Sequence, residues 1–155
     1  MPVAREISEY ELERGKPLPS RNHGIVQFNL SLAFGPYAEK YSFIPELSLE
    51  LDGEPLVPDM SVFPRLPVDW RNDQVKLTEP PLMVVEILSP TQALDQLVQK
   101  AGTYFGAGVR SCWIVEPVLE TVVVLSPDEK PATYTGGEIV DPATGITVRV
   151  DEIFR

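Results

Sequence analysis

Between Pro80 and Pro117 the chain reads PPLMVVEILSPTQALDQLVQKAGTYFGAGVRSCWIVEP, and no other stretch constrains the fold as much. Leu82 to Leu88 is a short β-rich apolar run of the kind that becomes a buried central strand. Ser89-Pro90-Thr91-Gln92 follows with a capping-box pattern and a proline suited to the first helical position. The helix it opens carries Leu94, Leu97, Val98, Ala101, Tyr104 and Phe105 at the spacing of one buried face, and Gly106 and Gly108 stop it. Ser111 to Val115 is the next strand. Two strands joined by one helical crossover run parallel, so the stretch predicts a βαβ unit. Glu86 interrupts the first strand, where an ionised carboxylate is costly unless a cation, a partner charge or hydrogen bonds meet it.

The remaining elements are arranged around this unit. Residues 6 to 14 fit a short helix or a strand leading to a turn at Gly15, and Pro17 to Ser20 is a turn. Ser20 or Asn22 then caps a helix whose apolar face is predicted to be Ile25, Phe28, Leu32 and Ala33, ended by Gly35-Pro36. Lys40 to Pro45 and the alternating Leu47 to Leu51 read as strands, with Asp52-Gly53 reversing the chain. Leu56 to Phe63 reads as a further strand with Pro58 near its start or edge. The proline-bearing stretch from Pro64 to Pro81 is long enough to be either a surface insertion or a lid over substrate. Thr121 to Leu125 is expected as an antiparallel hairpin partner of the 111–115 strand. Short strands within 134–140 and 146–150 follow, with Ile153-Phe154 as an apolar anchor.

Composition bounds the partners. A chain of 155 residues, 43% hydrophobic and 23% charged, fits one domain, 1–155, with a single full-sized core. No apolar run reaches the roughly 20 residues of a membrane span, and the N-terminus lacks a signal-peptide core, which points to the cytoplasm. Cys112, the only cysteine, lies beside Trp113 in an apolar run and reads as an inert core thiol. The net charge of -10 and the scattered basic residues, with Arg14, Lys16 and Arg21 the nearest to a cluster, mean weak nucleic-acid affinity for the chain alone. A metal, a second subunit or a partner would have to supply the missing positive field.

The candidate chemistry rests on three residues. Asp59 and Glu86, each in an apolar run, would converge on a hard divalent cation if their strands are neighbours, since Mg²⁺ takes oxygen ligands. The plain alternative is a pair of buried carboxylates satisfied by backbone N–H groups or an arginine. Lys100 lies at the border of the buried helical face, where its stem could follow apolar surface and bring its amine to the sheet; a surface lysine is the alternative. Asp95 lies near the opposite border of that stripe.

These residues carry a resemblance. Pro58-Asp59, Val85-Glu86-Ile87-Leu88-Ser89-Pro90, Asp95, Lys100, Tyr104, Ala107-Gly108-Val109 and Cys112-Trp113-Ile114-Val115 resemble the Uma2 family, also known as DUF820, restriction-endonuclease-like proteins of the PD-(D/E)XK nuclease superfamily. More loosely, Tyr10-Glu11…Gly15, His23-Gly24 and Ile153-Phe154 extend the similarity over nearly the whole chain. The resemblance implies an α/β (α+β) fold: a restriction-endonuclease-like mixed β-sheet core flanked by helices, with additional C-terminal strands. It further implies a nuclease hydrolysing phosphodiester bonds with Mg²⁺ or Mn²⁺, held by Asp59, Glu86 and the Ile87 backbone carbonyl. Leu88 stands where the motif's lysine would be, so Lys100 matches a lysine migrated to the helix. Glu11, His23, Asp95 and Tyr104 are additional candidates. DNA is the expected partner, and a homodimer would help surround a duplex. Two other readings compete: a catalytically silent nuclease-like fold serving as an interaction or assembly module, and a Ser-His-Asp hydrolase. The second would have to use His23 and lacks a G-x-S-x-G nucleophile elbow.

Overall fold

In the computed structural model, which describes residues 6–155, Ser8 caps the first helix, α1 (Glu9–Arg14), and Gly15 ends it in the left-handed conformation. Ser20 caps α2 (Arg21–Phe34) by accepting from the His23 amide, and a 3-10 turn, Gly35–Tyr37, closes that helix. Next come β1 (Tyr41–Pro45) and a hairpin of β2 (Ser48–Leu51) and β3 (Glu54–Leu56). Asp52 and Gly53 both take positive φ at its tip, as a tight hairpin turn requires. After β4 (Met60–Pro64), the long connection to β6 (Met83–Ile87) holds only a two-residue strand, β5 (Lys76–Leu77). Helix α3 (Leu94–Gly106) crosses over to β7 (Ser111–Glu116), and β8 (Thr121–Leu125) returns antiparallel. The chain finishes with β9 (Ala132–Tyr134), β10 (Glu138–Val140), β11 (Thr147–Arg149) and α4 (Val150–Ile153).

Six strands form the main sheet in the order β1-β4-β6-β7-β8-β9; β3-β2-β5 and β10-β11 form two smaller sheets. The sheet is mixed. Only β6 and β7 run parallel in it, which is the predicted βαβ unit, and the other pairs are antiparallel. Strand alternation sorts β6 between two cores. Met83, Val85 and Ile87 join Val26, Leu30, Phe34, Trp113 and the C-terminal Ile139, Val148 and Ile153 on one face. Val84 joins Leu97, Ala101, Tyr104, Ile114 and the β2–β3 leucines on the other. By the same alternation Glu86 points to the α3 face. Burying each such aliphatic side chain stabilises the fold by about 1.5–3 kcal/mol. The first core is tied down by Asn29, whose amide donates to the Ile153 carbonyl at 2.9 Å. Buried Asp141 accepts from the Trp113 indole at 2.9 Å and from the Thr144 amide and hydroxyl at 2.8 Å each. No helix among the described residues is long and apolar enough to cross a membrane.

Three details depart from the sequence-based expectations. On α2 the buried face is His23, Val26, Asn29, Leu30, Ala33 and Phe34, while Ile25, Phe28 and Leu32 face outward, Phe28 at 64% exposure. The helix is apolar on two sides, and polar His23 and Asn29 turn inward because specific partners await them. Helix α3 begins at Leu94: the Ser89–Gln92 segment closes on itself as a turn, with the Gln92 side chain accepting from the Ser89 amide. Gln96 then accepts from the Ala93 amide, and Leu94 and Val98 are left exposed. The run from Leu56 to Phe63 is broken, because Val57-Pro58-Asp59 link β3 to β4 without ladder pairing.

Candidate active site

The register of β4 and β6 creates the site. Met60 pairs with Val85 in an antiparallel ladder, so one residue further along, Asp59 faces Glu86 at the end of the two strands. Asp59 is 1% exposed and Glu86 2%. Two carboxylates side by side in a sheet interior need compensating groups, and each draws them from a different part of the chain.

Glu86 is met by α3. Leu97, Ala101 and Tyr104 bury one stripe of the helix, and Lys100, four residues before Tyr104, lies on its border. The Tyr104 hydroxyl donates to Glu86 Oε1 at 2.6 Å, and Lys100 Nζ reaches the same oxygen at 3.0 Å. Both contacts fall on Oε1, leaving Oε2 without a protein donor among the described residues. Burial pushes the Glu86 carboxyl above its ordinary range, opposed by the Lys100 charge, assisted by the facing Asp59, and opposed again by Lys16 and the Tyr104 hydrogen bond. The same burial and the Glu86 charge drive the Tyr104 phenol well above its usual range. Cys112 is fully buried, and burial raises its thiol well above the ordinary value, so it is the inert core cysteine that its setting predicted.

Asp59 is met by the N-terminal segment and by β6 itself. Its Oδ1 forms an ion pair with Lys16 Nζ and takes a hydrogen bond from His23 Nε2 at 2.9 Å. Its Oδ2 accepts from the Ile87 amide at 2.6 Å, and its backbone carbonyl accepts from the Gln27 side chain at 2.8 Å. Burial alone would raise the Asp59 carboxyl, but the His23 hydrogen bond and the Lys16 charge overcome it and hold it at about 2. Lys16, its side chain 8% exposed, also reaches the Val57 carbonyl at 3.2 Å and Glu46 Oε2 at 3.1 Å. Burial works against its charge, yet Asp59 and Glu86 together hold its ammonium above the ordinary lysine value. Glu46 sits in the corner after β1 at φ 56°, a conformation costly for a residue with a Cβ. That corner is pinned by Arg14, which donates to the Glu46 carbonyl at 3.0 Å and to Oε2 at 3.1 Å, and by Gln27, which donates to Oε1 at 3.2 Å. Ligand atoms of His23, Glu46 and Asp59 all lie within 4.8 Å of one another, and the His23 Nδ1 is buried without a partner among the described residues.

Asp59, Glu86, Lys100, Tyr104 and His23 therefore come together. Ile87 enters through its amide, which orients Asp59. Asp95 lies exposed in the first turn of α3 and contacts neither carboxylate among the described residues. Glu11 is buried within α1, where the Ser8 hydroxyl lies 3.4 Å from its carboxylate. Lys16, Glu46 and Gln27 are site residues that sequence reading missed. The only trace of them was the Arg14–Lys16–Arg21 grouping, which carries no sign of the strand-end carboxylates it meets.

This arrangement sits on a fold shared with a known protein. The chain matches a crystal structure of "a putative nuclease belonging to DUF820 from Anabaena variabilis ATCC 29413" with a TM-score of 0.76 and 21% identity, covering 89% of this chain and 83% of that one. A cryo-EM structure of a DrdV–DNA complex matches with a TM-score of 0.44 and 15% identity over 68% of this chain and 64% of that one. No curated protein matches. The model of the Uma2 family, described as "Putative restriction endonuclease", matches residues 2–150. The chain belongs to the Uma2 family.

Proposed function

We propose that the chain is a divalent-cation-dependent nuclease that hydrolyses phosphodiester bonds of nucleic acid, DNA first. The observation that carries this reading is the facing of Asp59 and Glu86 at the ends of β4 and β6 with Lys100 seated on Glu86. The donor set fits a hard cation: two buried carboxylates, one with an oxygen that no protein donor occupies among the described residues. Asp59 and Glu86, with the Ile87 carbonyl, would hold Mg²⁺ or Mn²⁺. When bound, the ion would act as a Lewis acid on the phosphate and lower the pKa of attacking water.

The chain's own residues do the rest. Tyr104 fixes the Glu86 carboxylate through Oε1, and the Ile87 amide and His23 fix that of Asp59. Lys100, only partly buried, is placed to turn toward a phosphate oxygen as charge develops there. In the reaction water forms the new bond to phosphorus as the bond to the leaving oxygen breaks, and that oxygen leaves as a hydroxyl. A homodimer would set two such sites on one duplex.

The test is cleavage of single- and double-stranded DNA with Mg²⁺ or Mn²⁺ by wild type and Glu86→Gln. Cleavage should disappear in the variant while its circular dichroism spectrum is unchanged; equal cutting by both would refute the site assignment. A second reading, an interaction module on a nuclease-like fold, is favoured by one observation. Asp59, Glu86 and Glu46 each already pair with a protein cation, Lys16, Lys100 and Arg14, so every carboxylate of the cluster has a partner without an added ion. On that reading neither wild type nor variant cuts.

A further inference from the structure

We infer that Lys16 is a built-in counter-cation that competes with the divalent ion, so that metal loads at Asp59 only as the Lys16 ammonium moves away. The inference rests on the nuclease reading above. It starts from coordination: Lys16 Nζ is held by a carboxylate of Asp59, a carboxylate of Glu46 and the Val57 carbonyl. That is a set of oxygen ligands drawn from three points of the chain, the type of surrounding that a hard cation takes. An ammonium has three protons to donate, and here each finds an oxygen.

Charge bookkeeping points the same way. With Lys16 in place, three carboxylates face three protein cations, and a divalent ion added to that set leaves an excess of two positive charges. With Lys16 withdrawn, the excess is one, which the single charge of a phosphodiester neutralises. Counted over the lysine, arginine and carboxylate charges, with the His23 imidazole staying on Asp59 throughout, Lys16 in and metal out, or metal and phosphate in and Lys16 out, are two balanced states. The exchange needs no rearrangement of the sheet. Lys16 stands in the linker between α1 and α2, directly after Gly15, whereas the Asp59 carboxylate keeps its Ile87 and His23 anchors.

The experiment is Mn²⁺ binding by calorimetry, without nucleic acid, to wild type, Lys16→Met, Lys16→Arg and Glu86→Gln. Wild-type protein is also acetylated with and without Mn²⁺, and Lys16 modification is read by mass spectrometry against exposed Lys130. Lys16→Met should bind Mn²⁺ about tenfold tighter than wild type, and Lys16→Arg should not. Mn²⁺ should increase Lys16 acetylation relative to Lys130, a measurement that requires no variant to fold. If wild type binds Mn²⁺, Glu86→Gln does not, and yet Mn²⁺ leaves Lys16 protected and Lys16→Met binds no tighter, the inference is overturned while the metal reading stands. If neither wild type nor Lys16→Met binds Mn²⁺, the metal reading falls and takes the inference with it.

Discussion

Asp59 and Glu86 face each other one position beyond the last β4–β6 ladder pair and are almost equally buried, yet their surroundings push them in opposite directions. Asp59 has an ion pair, an imidazole and a backbone amide, and it is held ionised well below its ordinary value of 3.8. Glu86 has a partly exposed lysine and a neutral phenol, and its carboxyl lies above its ordinary 4.5. Burial costs both the same kind of penalty; what differs is the number of donors aimed at the ionised form. Asp59 is a structural anchor as well as a candidate ligand, whereas Glu86 is kept at some cost to the fold.

The sharpest way to break this comparison is to neutralise each acid in turn. Asp59→Asn should break the buried pair with Lys16, leaving it only Glu46 and the Val57 carbonyl, and lower unfolding stability by roughly 3–5 kcal/mol in urea titrations. A loss under about 1 kcal/mol would show that the N-terminal segment relaxes freely around it. The pH profile should separate the two acids more gently. The depressed Asp59 contributes stability that is present above its unfolded value of 3.8 and is lost as pH falls toward about 2, roughly 2 kcal/mol in all. The raised Glu86 works in the reverse sense: its contribution is complete below 4.5 and is lost as pH rises through its elevated folded value. Stability measured from pH 2 to 7 should thus climb on the acid side and sag above 4.5, and Glu86→Gln should remove the sag alone. The smallest effect is expected for Tyr104→Phe, which deletes one hydrogen bond to a carboxylate and should cost roughly 1.5 kcal/mol. Its cleavage loss should be milder than that of Glu86→Gln; an equal loss would make the phenol as important as the acid it orients.

How far the sequence revealed this depended on range. The β6–α3–β7 unit was legible because period-2 and helical patterns are local, and Lys100 could be placed from its rotation on α3 alone. The outward turn of Ile25, Phe28 and Leu32 was not legible. An apolar series on each side of α2 leaves the choice of buried face to what the sheet offers, here the Ile153 carbonyl for Asn29 and Asp59 for His23. Lys16 was hidden for a similar reason, since 43 positions separate it from its carboxylate partner. Neither local pattern nor composition records such a pairing.

The Asp141–Trp113 hydrogen bond has a spectroscopic consequence. Trp113 is fully buried in β7 with its indole N–H bound to a carboxylate, and it pairs in the sheet with Val85, the neighbour of Glu86. Trp70, the other tryptophan, is 90% exposed in the connection between β4 and β6. Iodide should therefore quench Trp70 and leave a blue-shifted Trp113 emission, giving the sheet beneath the site its own intrinsic fluorophore.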